Sequence, residues 1–80
     1  MNVEILTPGK KIYSGEISLI KVPGILGSFE ILKNHAPIIS TLEKGSVKII
    51  TNEKQELFFE IEGGVIEASD NNIIILADIL

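Results

Sequence analysis

Turn-forming residues interrupt this chain so often that no stretch long enough for a helix carries a sustained i, i+3, i+4, i+7 apolar pattern. They fall at Thr7-Pro8-Gly9, Ser14-Gly15, Pro23-Gly24, Asn34-His35-Ala36-Pro37, Lys44-Gly45, Asn52-Glu53, Gly63-Gly64 and Asp70-Asn71-Asn72. Short runs separate them, the spacing of an all-β sandwich or barrel. Those runs are loaded with sixteen isoleucines, four valines and three threonines. Such β-branched side chains pack well on a pleated surface and crowd a helix. The pattern predicts strands near Val3–Leu6, Lys11–Val22, Phe29–Leu32, Ile38–Leu42, Ser46–Thr51, Leu57–Glu62, Val65–Ser69 and Ile73–Ala77. Gly15, inside the long second run, predicts a bulge or bend. No linker or internal repeat divides the chain, so residues 1–80 form one all-β domain.

Size bounds what such a domain can bury. Surface scaling gives about 12,600 Å² for the unfolded chain and about 4,700 Å² for the folded one, so roughly 60% is hidden. With no cysteine there is neither a disulfide nor a thiolate metal site to staple the fold. Packing must hold it, with or without a partner. No basic segment followed by an apolar one opens the chain. The longest apolar run, Ile73 to Ala77, is far short of the ~20 residues of a membrane span. The expectation is a soluble domain without direct membrane insertion, reaching a membrane only through partners. Net charge is −4, split between +2 over residues 1–48 and −6 over residues 49–80. There is no arginine and no basic stripe, which argues against nucleic acid.

Alternation carries the first functional signal. A half-buried strand reads apolar on one face and polar on the other. Leu57, Phe59 and Ile61 oppose Glu60 and Glu62, yet Phe58 breaks the polar face. Ile73-Ile74-Ile75-Leu76 and Pro37-Ile38-Ile39 are apolar on both faces. A central strand covered on each side would explain one such run. A domain this small cannot cover them all internally, so part of that surface is expected to meet another protein. Chemistry, by contrast, is missing. There is no phosphate-binding Walker loop, no GxGxxG between strand and helix, and no GxSxG elbow. His35 is the only histidine, which rules out a histidine-based metal cluster; before Ala36-Pro37 it suits a turn or a backbone hydrogen bond. Glu60 and Glu62 share a strand face, better explained as a solvated face than as an acid–base dyad. The element that stands out is Gly24-Ile25-Leu26-Gly27, two apolar residues between glycines in an exposed turn. A GxxG loop also clamps nucleic-acid backbone in KH domains, but that fold needs helices and a basic loop.

The string Gly24-x-x-Gly27-x-Phe29-x-Ile31-Leu32-x-Asn34-His35-Ala36-Pro37 resembles the signature loop of ATP synthase epsilon subunits. Leu42-x-x-Gly45-x-Val47-x-Ile49, Gly63-Gly64-Val65-Ile66-Glu67 and Leu76-Ala77-Asp78 follow at the family's spacing, and Tyr13-Ser14-Gly15 resembles its opening strands. The resemblance implies a flattened antiparallel β-sandwich of about 8–10 short strands. It further implies a non-catalytic rotor subunit of the central stalk, with no cofactor and no metal. Its partners would be the gamma subunit and the c-ring, at the cytoplasmic face of the bacterial cell membrane. The family's ring-contacting loop maps to Leu26, Gly27, Ser28 and Glu30, with His35 nearby; its gamma-facing surface maps to Thr7, His35, Ala36, Ile39 and Ser40. Position 28 is often acidic in the family and Glu30 stands where glycine is common, so an ion pair to a basic ring loop is either lost or moved to Glu30. Family members usually continue into a pair of helices; with the sequence reaching Leu80, the expectation is a short form without them, the alternative being a longer protein that was trimmed. A stand-alone β-sandwich adaptor is the alternative reading. Lacking both phosphate loop and helical pair, the chain is expected neither to bind nor to hydrolyse ATP; micromolar affinity by calorimetry would contradict this.

Overall fold

The computed structural model describes residues 1–79 and contains eight strands: β1 (Asn2–Thr7), β2 (Lys10–Val22), β3 (Phe29–Leu32), β4 (Ile38–Leu42), β5 (Gly45–Thr51), β6 (Glu56–Ile61), β7 (Gly63–Ser69) and β8 (Asn72–Asp78). There is no helix among the described residues. The first sheet runs β4-β7-β8-β1-β2 and the second β3-β2-β5-β6. Strand β2 is common to both. Its first half pairs with β1, from Asn2↔Glu16 to Thr7↔Lys10, and its second half lies between β3 and β5.

Two bulges bend β2 at this handover. Ile12 is the extra residue where the β1 pairing steps from Ile5↔Tyr13 to Leu6↔Lys11. Ser18 is the extra residue where the β5 pairing steps from Ile17↔Thr51 to Leu19↔Ile50. The Ser18 hydroxyl donates toward the Ile50 and Thr51 carbonyls at 3.2 and 3.4 Å. The bend expected at Gly15 therefore falls on either side of it, for Gly15 itself pairs regularly with Val3. Gly15 instead makes room for Tyr13, whose hydroxyl would lie 2.9 Å from a Cβ there. The Tyr13 ring meets Phe59 of the second sheet, centroids 5.4 Å apart.

Strand direction departs from the antiparallel expectation in one place. β1 and β8 pair in parallel, from Asn2↔Asn72 to Leu6↔Leu76, and join two antiparallel hairpins, β1–β2 and β7–β8. Side-chain alternation records which face a residue takes, but not which way its neighbour runs.

The core lies between the two inner faces. Val3, Ile5, Ile66, Ile73 and Ile75 of the first sheet meet Ile20, Ile31, Val47, Ile49 and Ile61 of the second, all essentially without solvent contact. Each such side chain contributes about 1.5–3 kcal/mol. The folded chain exposes 4845 Å², close to the value expected from its mass.

The passage from β6 to β7 is abrupt. Glu62 alone separates them and donates its N–H to the Asp78 carbonyl at 2.7 Å. Gly63 and Gly64, expected as a turn, are already β7, and Glu62, expected in β6, is the corner. A Cβ on Gly64 would lie within 2.3 Å of the Leu76 carbonyl oxygen, and its φ is +154°. Gly64→Ala is therefore expected to cost more than about 2 kcal/mol by forcing β7 and β8 apart. Urea denaturation measures this, and an unchanged midpoint would contradict it.

Candidate functional site

Inner-face packing leaves the alternate residues of the first sheet pointing outward. Across its strands the ladder aligns Ile39, Glu67, Ile74 and Glu4 in one row, and Thr41, Val65, Leu76 and Leu6 in the next. Ile39 is 72% exposed and Leu76 56%. Leu6, Ile39, Val65, Ile74 and Leu76 line a shallow groove of about 370 Å³, with Glu67 the one charged group among its walls. An adjoining groove brings in Thr7 and Pro8 beside Leu6 and Leu76. This is an apolar sheet face with nothing over it among the described residues, the form of a protein-binding surface.

The second feature is the loop between β2 and β3. Its base is pinned to the end of β4: Ile25 N–H donates to the Thr41 carbonyl at 3.0 Å, and Glu43 N–H to the Pro23 carbonyl at 2.8 Å. Gly27 N–H closes the turn on the Gly24 carbonyl at 2.9 Å. A Cβ on Gly24 would fall 2.6 Å from the Gly27 oxygen and 2.7 Å from the Phe29 ring, so only glycine fits. Gly27 has a φ of +126°. The result is a fixed base presenting Leu26, 99% exposed, at the tip.

The residues expected at the two contacts are divided differently by the fold. Leu26, Gly27 and Ser28 lie together on this loop, while Glu30 points outward from the second sheet opposite Lys21. His35 is at the other end of β3 and does not join them. There the β3–β4 loop is tied to the β7–β8 turn: Asn34 N–H donates to Asn71 Oδ1 at 2.7 Å, and Asn71 Nδ2 to Asn34 Oδ1 at 3.1 Å. Asn34 and Asn71 both have positive φ, which asparagine tolerates. The His35 ring Nδ1 lies 2.7 Å from the Ala36 carbonyl, the backbone bond that its place before Ala36-Pro37 suggested.

Of the residues mapped to the gamma surface, Ile39 lines the aliphatic groove and Thr7 the adjoining one. His35 and Ala36 lie exposed beyond the opposite end of β4. Ser40 alternates with Ile39 and so takes the inner side of the edge strand. Sequence reasoning missed Leu6, Val65, Ile74 and Leu76 as contact residues, although the two-sided run Ile73–Leu76 signalled an unpaired face. Carboxylates do not converge: Glu60 lies on β6, while Glu62 is at the corner near Lys44. Among the described residues no three ligating side chains gather to hold a metal, and no helix is long and apolar enough to cross a membrane.

All of residues 1–80 match the family model for the ATP synthase delta/epsilon chain β-sandwich domain. The chain belongs to this family. The ATP synthase epsilon chain of Chlorobium limicola is 41% identical over 76 residues, covering 95% of this chain and 86% of that one. That of Leptospira borgpetersenii serovar Hardjo-bovis is 44% identical over 78 residues, covering 98% of this chain and 61% of the relative. The same sandwich occurs in the solved mitochondrial ATP synthase of Euglena gracilis, with a TM-score of 0.87 at 17% identity, covering 94% of this chain and 48% of that one. It occurs again in the central stalk and c-ring structure of the Tetrahymena thermophila enzyme, with a TM-score of 0.82 at 22% identity, covering 98% and 63%. At such identities these two likenesses concern the fold alone. An epsilon chain is a component of the synthase and not its catalytic subunit.

Because the loop tip of this epsilon sandwich packs on nothing of its own, Leu26→Ser is expected to shift folding stability by no more than about 0.5 kcal/mol. A larger loss on thermal or urea unfolding would mean that Leu26 has a structural role.

Proposed function

We propose that this epsilon chain is a rotor subunit of a proton-translocating ATP synthase that fastens the gamma subunit to the c-ring at the cytoplasmic face of the bacterial cell membrane. The observation that carries it is the uncovered apolar outer face of the first sheet, centred on Ile39, Val65 and Leu76. Such a face suits a lasting partner, here gamma. The Gly24–Ser28 loop suits a different contact, a small apolar tip against the ring.

The mechanism is mechanical. The loop base is hydrogen-bonded to β4, the strand that carries Ile39, so tip and face are held in one rigid frame. A displacement of the ring at the tip is thus passed to gamma with little lost in flexing. Coupling proton flow to ATP synthesis requires from this chain only that both contacts hold together. Its carboxylates stay dispersed, and chemistry is left to other subunits.

Ile39→Glu places a carboxylate in the middle of the face. Its side chain already points to solvent, so the variant is expected to fold normally. Binding to the gamma subunit of the same synthase should weaken by several kcal/mol, because docking would bury an unpaired charge. Calorimetric titration with purified gamma tests it; a folded variant that binds as tightly as the parent would show that another face is used.

A further inference from the structure

Glu67 stands where the outer face of the first sheet is otherwise most apolar. It lies at the middle of β7, paired across the ladder with Ile39 on one side and Ile74 on the other. Val65 shares its face two residues away, and the groove walls around it are otherwise aliphatic. Beyond Ile74 in the same row comes Glu4, but that carboxylate is already met by Lys11 Nζ at 2.9 Å. The other ion pairs among the described residues join the Met1 amine to Glu16, Lys44 to Glu62, and Lys48 to Glu56. None includes Glu67.

In the uncovered sandwich this arrangement costs little, since Glu67 is exposed to water. Docking changes the balance. A protein that covers Ile39 and Ile74 must also strip water from the carboxylate between them, and an unpaired buried charge opposes association more than the aliphatic contacts beside it favour it. We propose that Glu67 forms an ion pair with a single lysine or arginine projecting from an otherwise apolar surface of the docked subunit, and that this pair fixes the register of the interface. Aliphatic contacts allow one surface to slide on another, whereas a charge pair is satisfied at one position. Arginine suits the role better, being weakly hydrated and able to engage both carboxylate oxygens. The proposal rests on the reading that this face binds gamma, and it specifies the chemistry that gamma must present there.

The test compares the full chain with its E67Q, E67K and I39E variants in calorimetric titrations against the gamma subunit of the same synthase, at low and high salt. Thermal melting of each variant serves as the folding control. E67Q is expected to weaken binding by about 30-fold or more with an unchanged melting curve, and E67K to weaken it further. The salt dependence of binding should be shallower for E67Q than for the parent. Reversing the matching cation on gamma should restore binding to E67K. If E67Q binds as tightly as the parent while I39E does not, the face is correct and the ion pair is absent. If I39E also binds normally, the gamma face itself is misassigned and the pair falls with it.

Discussion

Strand β2 is thirteen residues long, and in so small a domain a strand of that length must bend to stay within the fold. Its bulges at Ile12 and Ser18 supply the bend and pass the chain from the first sheet to the second. The rest depends on this handover. Because both sheets share β2, their inner faces are held opposite one another, and Val3, Ile5 and Ile75 find Ile20 and Ile49 without a disulfide or metal to guide them. The one-residue corner at Glu62 is the tightest of the chain's crossings between the sheets. Tyr13 against Phe59 adds an aromatic contact between them.

The elements encoded by local chemistry were legible. Phe29–Leu32 and Ile38–Leu42 are observed residue for residue as their apolar runs and flanking turns predict. The other strands begin or end within one or two residues of expectation. Information spread across strands was not legible. Gly15 invited a bulge because glycine is flexible, but the bulges fell where pairing registers had to change, which is a property of β1 and β5 as much as of β2. Gly63-Gly64 looked like a turn, yet both glycines belong to β7, and at Gly64 the missing side chain allows close approach to Leu76. The pairing of β1 with β8 leaves no trace in either strand's alternation.

The same division holds for the site. A loop is contiguous, so Leu26, Gly27 and Ser28 could be read together from the chain. The outer face is built from single residues of β1, β4, β7 and β8, and only the registers place Leu6, Val65, Ile74 and Leu76 beside Ile39. Sequence distance also misled for His35, which is close to Ser28 along the chain but lies beyond the far end of β3. The second sheet shows why exposure alone is a poor guide. Its outer face also presents Leu32 and Phe58, but Lys21, Lys48, Glu30 and Glu56 share it, and Lys48 and Glu56 lie 3.8 Å apart. That surface is mixed. The first sheet's carries one continuous aliphatic patch, Leu6, Ile39, Val65, Ile74 and Leu76, with Glu67 as its single charge, which makes it the better candidate for a lasting contact.

The parallel seam between β1 and β8 bears on how this domain responds to force. The two strands run the same way, so the start of β1 and the end of β8 lie at opposite ends of the sandwich. A pull that draws those ends apart loads the ladder in shear, along the strands, and the five residue pairs from Asn2↔Asn72 to Leu6↔Leu76 resist together. An antiparallel seam at the same place would bring those two ends side by side, and its hydrogen bonds would open one at a time like a zipper. The chain's first and last strands thus form a mechanical clamp across the first sheet.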